Sequence, residues 1–94
     1  MAIPHDDRFD RLFEAILNLE SVEECYAFFD DVCTMSEITE MKDRFDVAGR
    51  LLDGKTYTQI ETETSMSSAT ISRVNRCIQY GSGGYKLAYQ RLKK

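Results

Sequence analysis

Residues 56–81, TYTQIETETSMSSATISRVNRCIQYG, predict two short helices joined by a polar turn. Thr56 and Gln59 have the S/T-x-x-E/Q spacing of a capping box, so the first helix begins just after Thr56. Ile60 is the residue that this helix can bury, and Ser67 is a typical N-cap for the second helix. The segment therefore has the pattern of a helix-turn-helix.

The second helix of this segment has one apolar and one polar face. Ile71, Val74 and Ile78 recur at i, i+3 and i+7, so they form an inward stripe. The opposite face carries small and polar side chains near the helix start and cations further along: Ala69, Ser72, Arg73, Arg76, Tyr80 and, at the edge, Gln79. Small residues allow a helix to enter the DNA major groove, and arginines suit guanine edges or phosphates.

We therefore predict that this helix-turn-helix binds double-stranded DNA. The predicted contacts lie at the starts of both helices and along the outward face of the second: Thr58, Gln59, Ser67, Ser68, Ala69, Ser72, Arg73 and Arg76. Two positions depart from the usual pattern, because Glu61 stands where such units often have Ala, and Ser65 where the turn often has Gly. Two other interpretations stay open: a chance pattern in a small helical protein, and an adapter that binds a protein through the same face.

Charge is distributed unevenly along the 94 residues, whose formal net charge is −4. Residues 1–40 contain eleven acidic and two basic side chains, a balance of −9, whereas residues 41–94 contain ten basic and five acidic side chains, a balance of +5. A polarised molecule can present a basic face to phosphate while its acidic half faces away. Two ordinary solvated surfaces would give the same charges.

Capping boxes also mark helices on the N-terminal side of the helix-turn-helix. Ser21 and Glu24 predict the start of a second helix, and Thr34 and Glu37 that of a long central helix, which Gly54 is placed to end. The first two helices have strong apolar stripes: Phe9, Leu12, Phe13, Ile16 and Leu17 in the first, and Val22, Cys25, Tyr26, Phe29, Val32 and Cys33 in the second. A small chain with such helices needs more apolar surface to cover them.

After the break GSGG at residues 81–84, a short last helix completes an all-α chain of six helices and no strand. Its apolar stripe is Tyr85, Ala88, Tyr89 and Leu92. We predict a single domain, 1–94, with dimerisation helices over 1–54, the helix-turn-helix over 55–81 and the C-terminal helix over 82–94. The preferred assembly is an intertwined homodimer, and the alternative is a monomer that folds back on itself.

The remaining composition excludes several other classes of protein. Cys25, Cys33 and Cys77 have no CxxC spacing, so we expect reduced thiols in the cytoplasm, and together with His5 they give no convincing metal site. No apolar run approaches the ~20 residues needed to span a bilayer. The chain has neither a Gly-rich phosphate loop after a strand nor a nucleophile with a matching base. We therefore expect no enzyme activity and no cofactor.

Several segments together resemble the Trp-repressor superfamily, and most closely its YerC/YecD branch. They are ECYAFFDDVCT at 24–34, LLDGK at 51–55, SATISRVNRC at 68–77 and YGSGGYKLAYQRL at 80–92, within a likeness that runs from about Leu12 to Leu92. The resemblance implies a six-helix, intertwined homodimer that regulates transcription by binding DNA. Since the sequence has no separate effector domain, repression by occupying the operator is the simplest mechanism.

The resemblance also implies an effector pocket formed by Thr34, Arg44 and Arg73, since the Trp repressor holds L-tryptophan between two arginines and a threonine. The chain departs from that pattern at two places. Val74 stands where the family has a glycine that leaves space for the indole ring, and Cys77 where it has a serine that helps bind the amino group. We therefore expect that L-tryptophan is not the effector, while a tryptophan-responsive repressor remains the alternative.

Overall fold

The computed structural model describes residues 2–93, and within that range it contains six helices and no strand. The helices are α1 (Asp7–Leu17), α2 (Val22–Val32), α3 (Met35–Leu52), α4 (Tyr57–Thr64), α5 (Ser68–Tyr80) and α6 (Gly84–Leu92). The predicted all-α, six-helix fold is confirmed.

Two of the three predicted capping boxes are complete. Thr34 Oγ1 accepts a hydrogen bond from the Glu37 amide at 3.1 Å, and Glu37 Oε1 accepts one from the Thr34 amide at 2.8 Å. Thr56 and Gln59 form the same reciprocal pair at the start of α4, at 3.2 and 2.8 Å. Each box satisfies backbone donors that the first turn of a helix leaves without a partner.

The third box, at the start of α2, is only half formed. Ser21 Oγ accepts from the Glu24 amide at 3.1 Å, as predicted. The Glu24 carboxylate, however, accepts from the amide of Glu20 at 2.7 Å, one residue before the N-cap. The prediction of a reciprocal box at Ser21 is therefore wrong, although the helix begins where it was expected.

Gly54 ends the central helix in the manner expected. Its φ is +89°, a left-handed conformation that favours glycine. The Gly54 amide donates to the Leu51 carbonyl at 3.0 Å and the Lys55 amide to the Arg50 carbonyl at 3.1 Å. These two bonds form a Schellman motif, which satisfies the last carbonyls of α3 and turns the chain towards α4.

The chain divides into two compact units, Met1–Ile38 and Thr39–Lys94, with the boundary inside α3 rather than at residue 54. Every buried apolar side chain of the described residues lies in the second unit: Val47, Ala48, Ile60, Ile71 and Val74. The division into 1–54, 55–81 and 82–94 stays a functional prediction.

The first unit leaves its apolar faces open to solvent within one chain. None of residues 2–38 is buried, and the exposed fractions of Leu17, Val22 and Tyr26 are 82%, 67% and 75%. Aromatic rings contact one another within each helix, Phe9 with Phe13 and Phe28 with Phe29. The apolar stripes of α1 and α2 therefore exist as predicted, but one chain does not cover them.

Candidate nucleic-acid interface

The turn between α4 and α5 depends on one residue in left-handed conformation. Ser65 has φ 62° and ψ 15°, and its amide donates to the Glu61 carbonyl at 3.0 Å. Thr64 Oγ1 fixes both sides of the turn, because it donates to the Ile60 carbonyl at 2.6 Å and accepts from the Met66 amide at 3.1 Å. Serine thus occupies the position where glycine is usual, at the conformational cost that a side chain carries there.

The inner face of the helix-turn-helix forms the core of the second unit. Ile60 of α4 and Ile71 of α5 are fully buried, and Val74 is 2% exposed. They pack with Val47 and Ala48 of α3, while Ile78 lies at the margin of the same cluster. The stripe predicted for α5 is therefore the face that attaches this helix to the central one.

The outer face of α5 is open, as the sequence predicts. All eight predicted DNA-binding residues are exposed: Thr58, Gln59, Ser67, Ser68, Ala69, Ser72, Arg73 and Arg76. Two of them also cap helices, since Gln59 Oε1 accepts from the Thr56 amide and Ser67 Oγ accepts from the Thr70 amide at 3.2 Å. These two side chains contribute to the local fold in addition to any contact with a ligand.

Arg73 and Arg76 differ from every cation of α3 and the loop after it. Neither forms an ion pair with a carboxylate of the described residues. In contrast, Lys42, Arg44, Arg50 and Lys55 each lie within 4.0 Å of an acidic side chain. The guanidinium groups on the outer face of α5 thus retain their full hydrogen-bonding capacity for an external anion.

An ionic cluster attaches α4 to the end of α3. Arg50 Nη1 lies 2.5 Å from Glu63 Oε1, Lys55 Nζ lies 2.7 Å from Glu63 Oε2, and Arg50 Nε lies 3.2 Å from Asp46 Oδ1. The hydrogen bond from Lys55 is the largest cause that lowers the pKa of Glu63. The hydrogen bond to Glu63 likewise raises the pKa of Arg50. The cluster cannot be predicted from the sequence, because no local pattern relates residue 63 to residue 50.

Helix α6 crosses α3 at Gly49. A Cβ atom added to Gly49 would lie 2.8 Å from Tyr89 Cε1, closer than non-bonded carbons approach. Tyr89 also meets the Phe45 ring edge-on, with centroids 6.3 Å apart, and its hydroxyl donates to Asp53 Oδ2 at 2.7 Å. Lys93 Nζ donates to Asp53 Oδ1 at 3.1 Å. These hydrogen bonds, that from Tyr89 first, lower the pKa of Asp53.

Tyr85 lies one turn before Tyr89 and packs against the core cluster. Burial is the largest cause that raises the pKa of its phenol; the nearby Cys77 raises it further, while Arg44 lowers it. Tyr85 is thus placed where α6 meets α5, and these two helices pack together.

The residues of the predicted effector pocket are distributed over both units. Thr34 caps α3, Arg44 Nη2 lies 3.4 Å from Glu40 Oε2, and Arg73 is on the outer face of α5. Val74, in contrast, is enclosed in the core, and Cys77 is exposed. The pocket stays a prediction, as does its inability to accept L-tryptophan.

Further features of the described residues concern metal binding, membrane insertion and a surface cleft. Within 2–93, no three His, Cys, Asp or Glu side chains are grouped so that they could hold a metal ion. No helix of that range is both long and apolar enough to cross a membrane. An open cleft of about 720 Å³ lies between α3 and α6 and is lined by Phe45, Gly49, Tyr89 and Leu92 with charged residues of α3 around them.

The helices thus define a helix-turn-helix protein whose second helix is buried on one side and basic on the other. The family model described as Trp repressor protein matches residues 7–93, and the chain belongs to the Trp repressor family. This confirms the resemblance inferred from the sequence. The fold is that of a family of DNA-binding regulators, not of enzymes.

Three relatives show how far the likeness extends. The protein YerC of Bacillus subtilis (strain 168) is 53% identical over 85 residues, which cover 90% of this chain and 82% of YerC. The crystal structure of a candidate Trp repressor from Staphylococcus aureus has a TM-score of 0.88 and 46% identity, covering 95% of this chain and 89% of its own. The crystal structure of a TrpR-like protein from Eubacterium eligens ATCC 27750 has a TM-score of 0.87 and 45% identity, covering 94% of this chain and 91% of its own.

Proposed function

We propose that this protein is a sequence-specific, homodimeric DNA-binding regulator of the cytoplasm that represses transcription by occupying its operator. The observation that carries the proposal is the outer face of α5, where small residues precede two arginines that have no carboxylate partner among the described residues. Its opposite face is anchored in the core through Ile71 and Val74. This attachment determines which face of α5 is available to the major groove.

The outer face suggests a division of roles along α5. Ala69 and Ser72 leave room for the helix to approach base edges, where serine can donate or accept hydrogen bonds. Arg73 and Arg76 lie further along and can reach guanine or phosphate. Thr58 and Ser68, at the starts of α4 and α5, are suited to phosphate, because helix N-termini and hydroxyl groups both bind it.

The uncovered apolar faces of α1 and α2 support a homodimer. Tyr26 is 75% exposed and Leu17 82% exposed within one chain, and extended apolar surface of this kind is typical of interfaces. A second copy supplies the matching surface by two-fold symmetry. The two recognition helices of such a dimer can then read half-sites about 34 Å apart.

The proposal does not assign an effector ligand to this regulator, and it disfavours L-tryptophan. Thr34, Arg44 and Arg73 are present, but the side chain of Val74 is packed in the core where the family has a glycine. Any effector would have to fit beside that side chain. Regulation by a different ligand is compatible with the same arginines.

Selection of bound duplexes from a random DNA pool tests the proposal. The purified protein should enrich a palindromic sequence, since a two-fold dimer reads two equivalent half-sites. The variant Ala69→Glu, which puts bulk and negative charge on the outer face of α5, should enrich nothing, and Ala27→Glu, which adds the same charge on α2, should behave as the wild type. If the wild type enriches no sequence, the result would favour the alternative function, an adapter that binds a protein through the same face.

A further inference from the structure

Helix α6 has two sheltered side chains on one face. Tyr85 and Tyr89 are four residues apart, so they lie one turn apart on the same side of the helix. They are half-buried, whereas every other described residue of α6 is exposed. The contacts of α6 with the rest of the second unit therefore depend mainly on these two tyrosines.

The two tyrosines make different contacts. Tyr89 lies directly on the backbone of α3 at Gly49 and donates to Asp53. Tyr85 packs against the core cluster, to which α3, α4 and α5 all contribute, and α6 itself packs against α5. Helix α6 therefore connects the central helix, α3, with α5, which is the predicted recognition helix.

We propose that α6 is a brace that sets the position of the recognition helix, with Tyr85 and Tyr89 as positioning residues for DNA binding. The inference rests on the proposed function and assigns it residues outside the DNA-contacting face. Its physical basis is that few side chains attach the helix-turn-helix to the core: α4 has one buried residue, Ile60, and α5 has two, Ile71 and Val74. A helix held by so few side chains would lose conformational freedom on binding DNA, and a brace lowers that cost in advance.

The decisive measurement is DNA affinity as a function of salt, using the full chain and the palindrome selected above. Tyr85→Ala should weaken binding by about tenfold, because the loosened α5 must be ordered at the moment of binding. The slope of log affinity against log salt should not change, since the bound complex keeps the same phosphate contacts. Tyr85→Phe should bind as the wild type does, because a phenylalanine ring can occupy the same place against the core.

Two further variants act through Tyr89. Gly49→Ala places a methyl group against the Tyr89 ring and displaces it without altering α6 itself. Tyr89→Phe keeps the ring on Gly49 and removes only the hydrogen bond to Asp53. We expect Gly49→Ala to weaken DNA binding more than Tyr89→Phe, again with the salt slope unchanged. These variants also carry the test if Tyr85→Ala does not fold.

Amide hydrogen exchange of the free protein tests the role of α6 as a brace independently of DNA binding. Tyr85→Ala and Gly49→Ala should speed exchange in α5 while leaving exchange in α2 unchanged. If the wild type binds no DNA but α5 exchange rises as described, the proposed function fails and the brace stands. Unchanged α5 exchange, a lower salt slope in Tyr85→Ala, or a loss in Tyr85→Phe equal to that in Tyr85→Ala would each overturn the brace.

Discussion

Lys55 donates hydrogen bonds from Nζ to both carboxylate oxygens of Glu63, at 2.9 and 2.7 Å. Arg50 approaches the same carboxylate from α3. Glu63 lies in the last turn of α4, so one carboxylate connects the first helix of the helix-turn-helix to α3 and to the loop that follows it. Two cations close to the helix-turn-helix are neutralised in this way, while Arg73 and Arg76 have no carboxylate partner among residues 2–93.

Acid should break this connection. The pKa of Glu63 lies below its ordinary value of 4.5, chiefly because of the hydrogen bond from Lys55. Since the folded pKa is the lower one, the stabilisation is fully present above that ordinary value and is lost as the pH falls through the lowered pKa. Thermal unfolding of wild type and Glu63→Gln should therefore differ most at neutral pH and converge in acid.

Glu61→Gln is the matched control for that experiment. Glu61 is exposed on the same helix and forms no ion pair with a cation of the described residues. Its pH profile should run parallel to that of the wild type. If the melting temperatures of wild type and Glu63→Gln differ by the same amount at every pH, the ionised Glu63 carboxylate is not what connects α4 to α3.

The variant Ser65→Gly should stabilise the protein. Ser65 is the one non-glycine residue with positive φ in the described chain, and it forms the turn before α5. Glycine adopts this conformation without the side-chain clash, although it also loses more freedom on folding. We expect a net gain of about 0.5–1 kcal/mol, measured by chemical denaturation at a fixed protein concentration.

Ser82→Gly makes the same substitution at a loop position where φ is not positive. It relieves no strain and adds freedom to the unfolded chain, so it should be neutral or destabilising. A similar gain in both variants would show that the left-handed conformation of Ser65 is not the cause.

Tyr26→Glu should abolish the homodimer. Tyr26 is 75% exposed in one chain, so a monomer would tolerate the change, whereas a dimer that covers α2 would have to bury an unpaired carboxylate. Analytical ultracentrifugation at micromolar concentration should show dissociated or aggregated protein. Ala27→Glu, one residue further on and on the polar face of α2, should leave the dimer intact. A folded Tyr26→Glu dimer would place the interface elsewhere.

Arg76→Ala should weaken DNA binding and also change its salt dependence. If Arg76 contacts one phosphate, its loss should lower the magnitude of the salt slope by about 0.9. Arg91→Ala removes an equal charge from α6, where Arg91 is exposed and has no described carboxylate partner. Its slope should match that of the wild type. Equal effects of the two variants would indicate general electrostatic attraction rather than a contact at Arg76.

The features predicted correctly from the sequence are those that local rules control. The boxes at Thr34 and Thr56 are complete because residues three apart meet in the first turn of any helix. The stripe of α5 became the core because a helix buries one face. In contrast, the contact between Gly49 and Tyr89 joins residues 40 positions apart, and no local rule selects Tyr89 among the tyrosines of the chain.

The hydrogen bonds of Asp53 and Glu63 could not be predicted from the sequence for the same reason. Asp53 accepts a hydrogen bond from Tyr89, which lies 36 positions away in the sequence. Glu63 accepts one from Arg50, which lies 13 positions away. Side-chain partners at such separations follow from the relative placement of helices, which the periodicity of each helix alone does not determine. At Ser21 the local rule itself was insufficient, since Glu24 could reach the amide of Glu20 as well as that of its own N-cap.

L-tryptophan should not strengthen DNA binding by this protein. The family resemblance supplies Thr34, Arg44 and Arg73, but Val74 stands in place of the glycine that makes room for the indole, and its side chain is 2% exposed within the core. Forcing extra bulk into such a site typically costs about 1–3 kcal/mol, or roughly 5- to 150-fold in affinity. Cys77 replaces a serine hydroxyl with a thiol, a weaker hydrogen-bonding group.

Calorimetric titration of L-tryptophan into the protein, with and without DNA, measures this directly. The wild type should give no binding heat, and its DNA affinity should not change. The double variant Val74→Gly/Cys77→Ser should bind L-tryptophan if these two side chains are the whole obstacle, while Cys77→Ser alone should not, because Val74 still fills the space. Micromolar binding by the wild type that raises DNA affinity would overturn the steric argument and favour a tryptophan-responsive repressor. Failure of the double variant to bind would mean that the pocket differs at further positions.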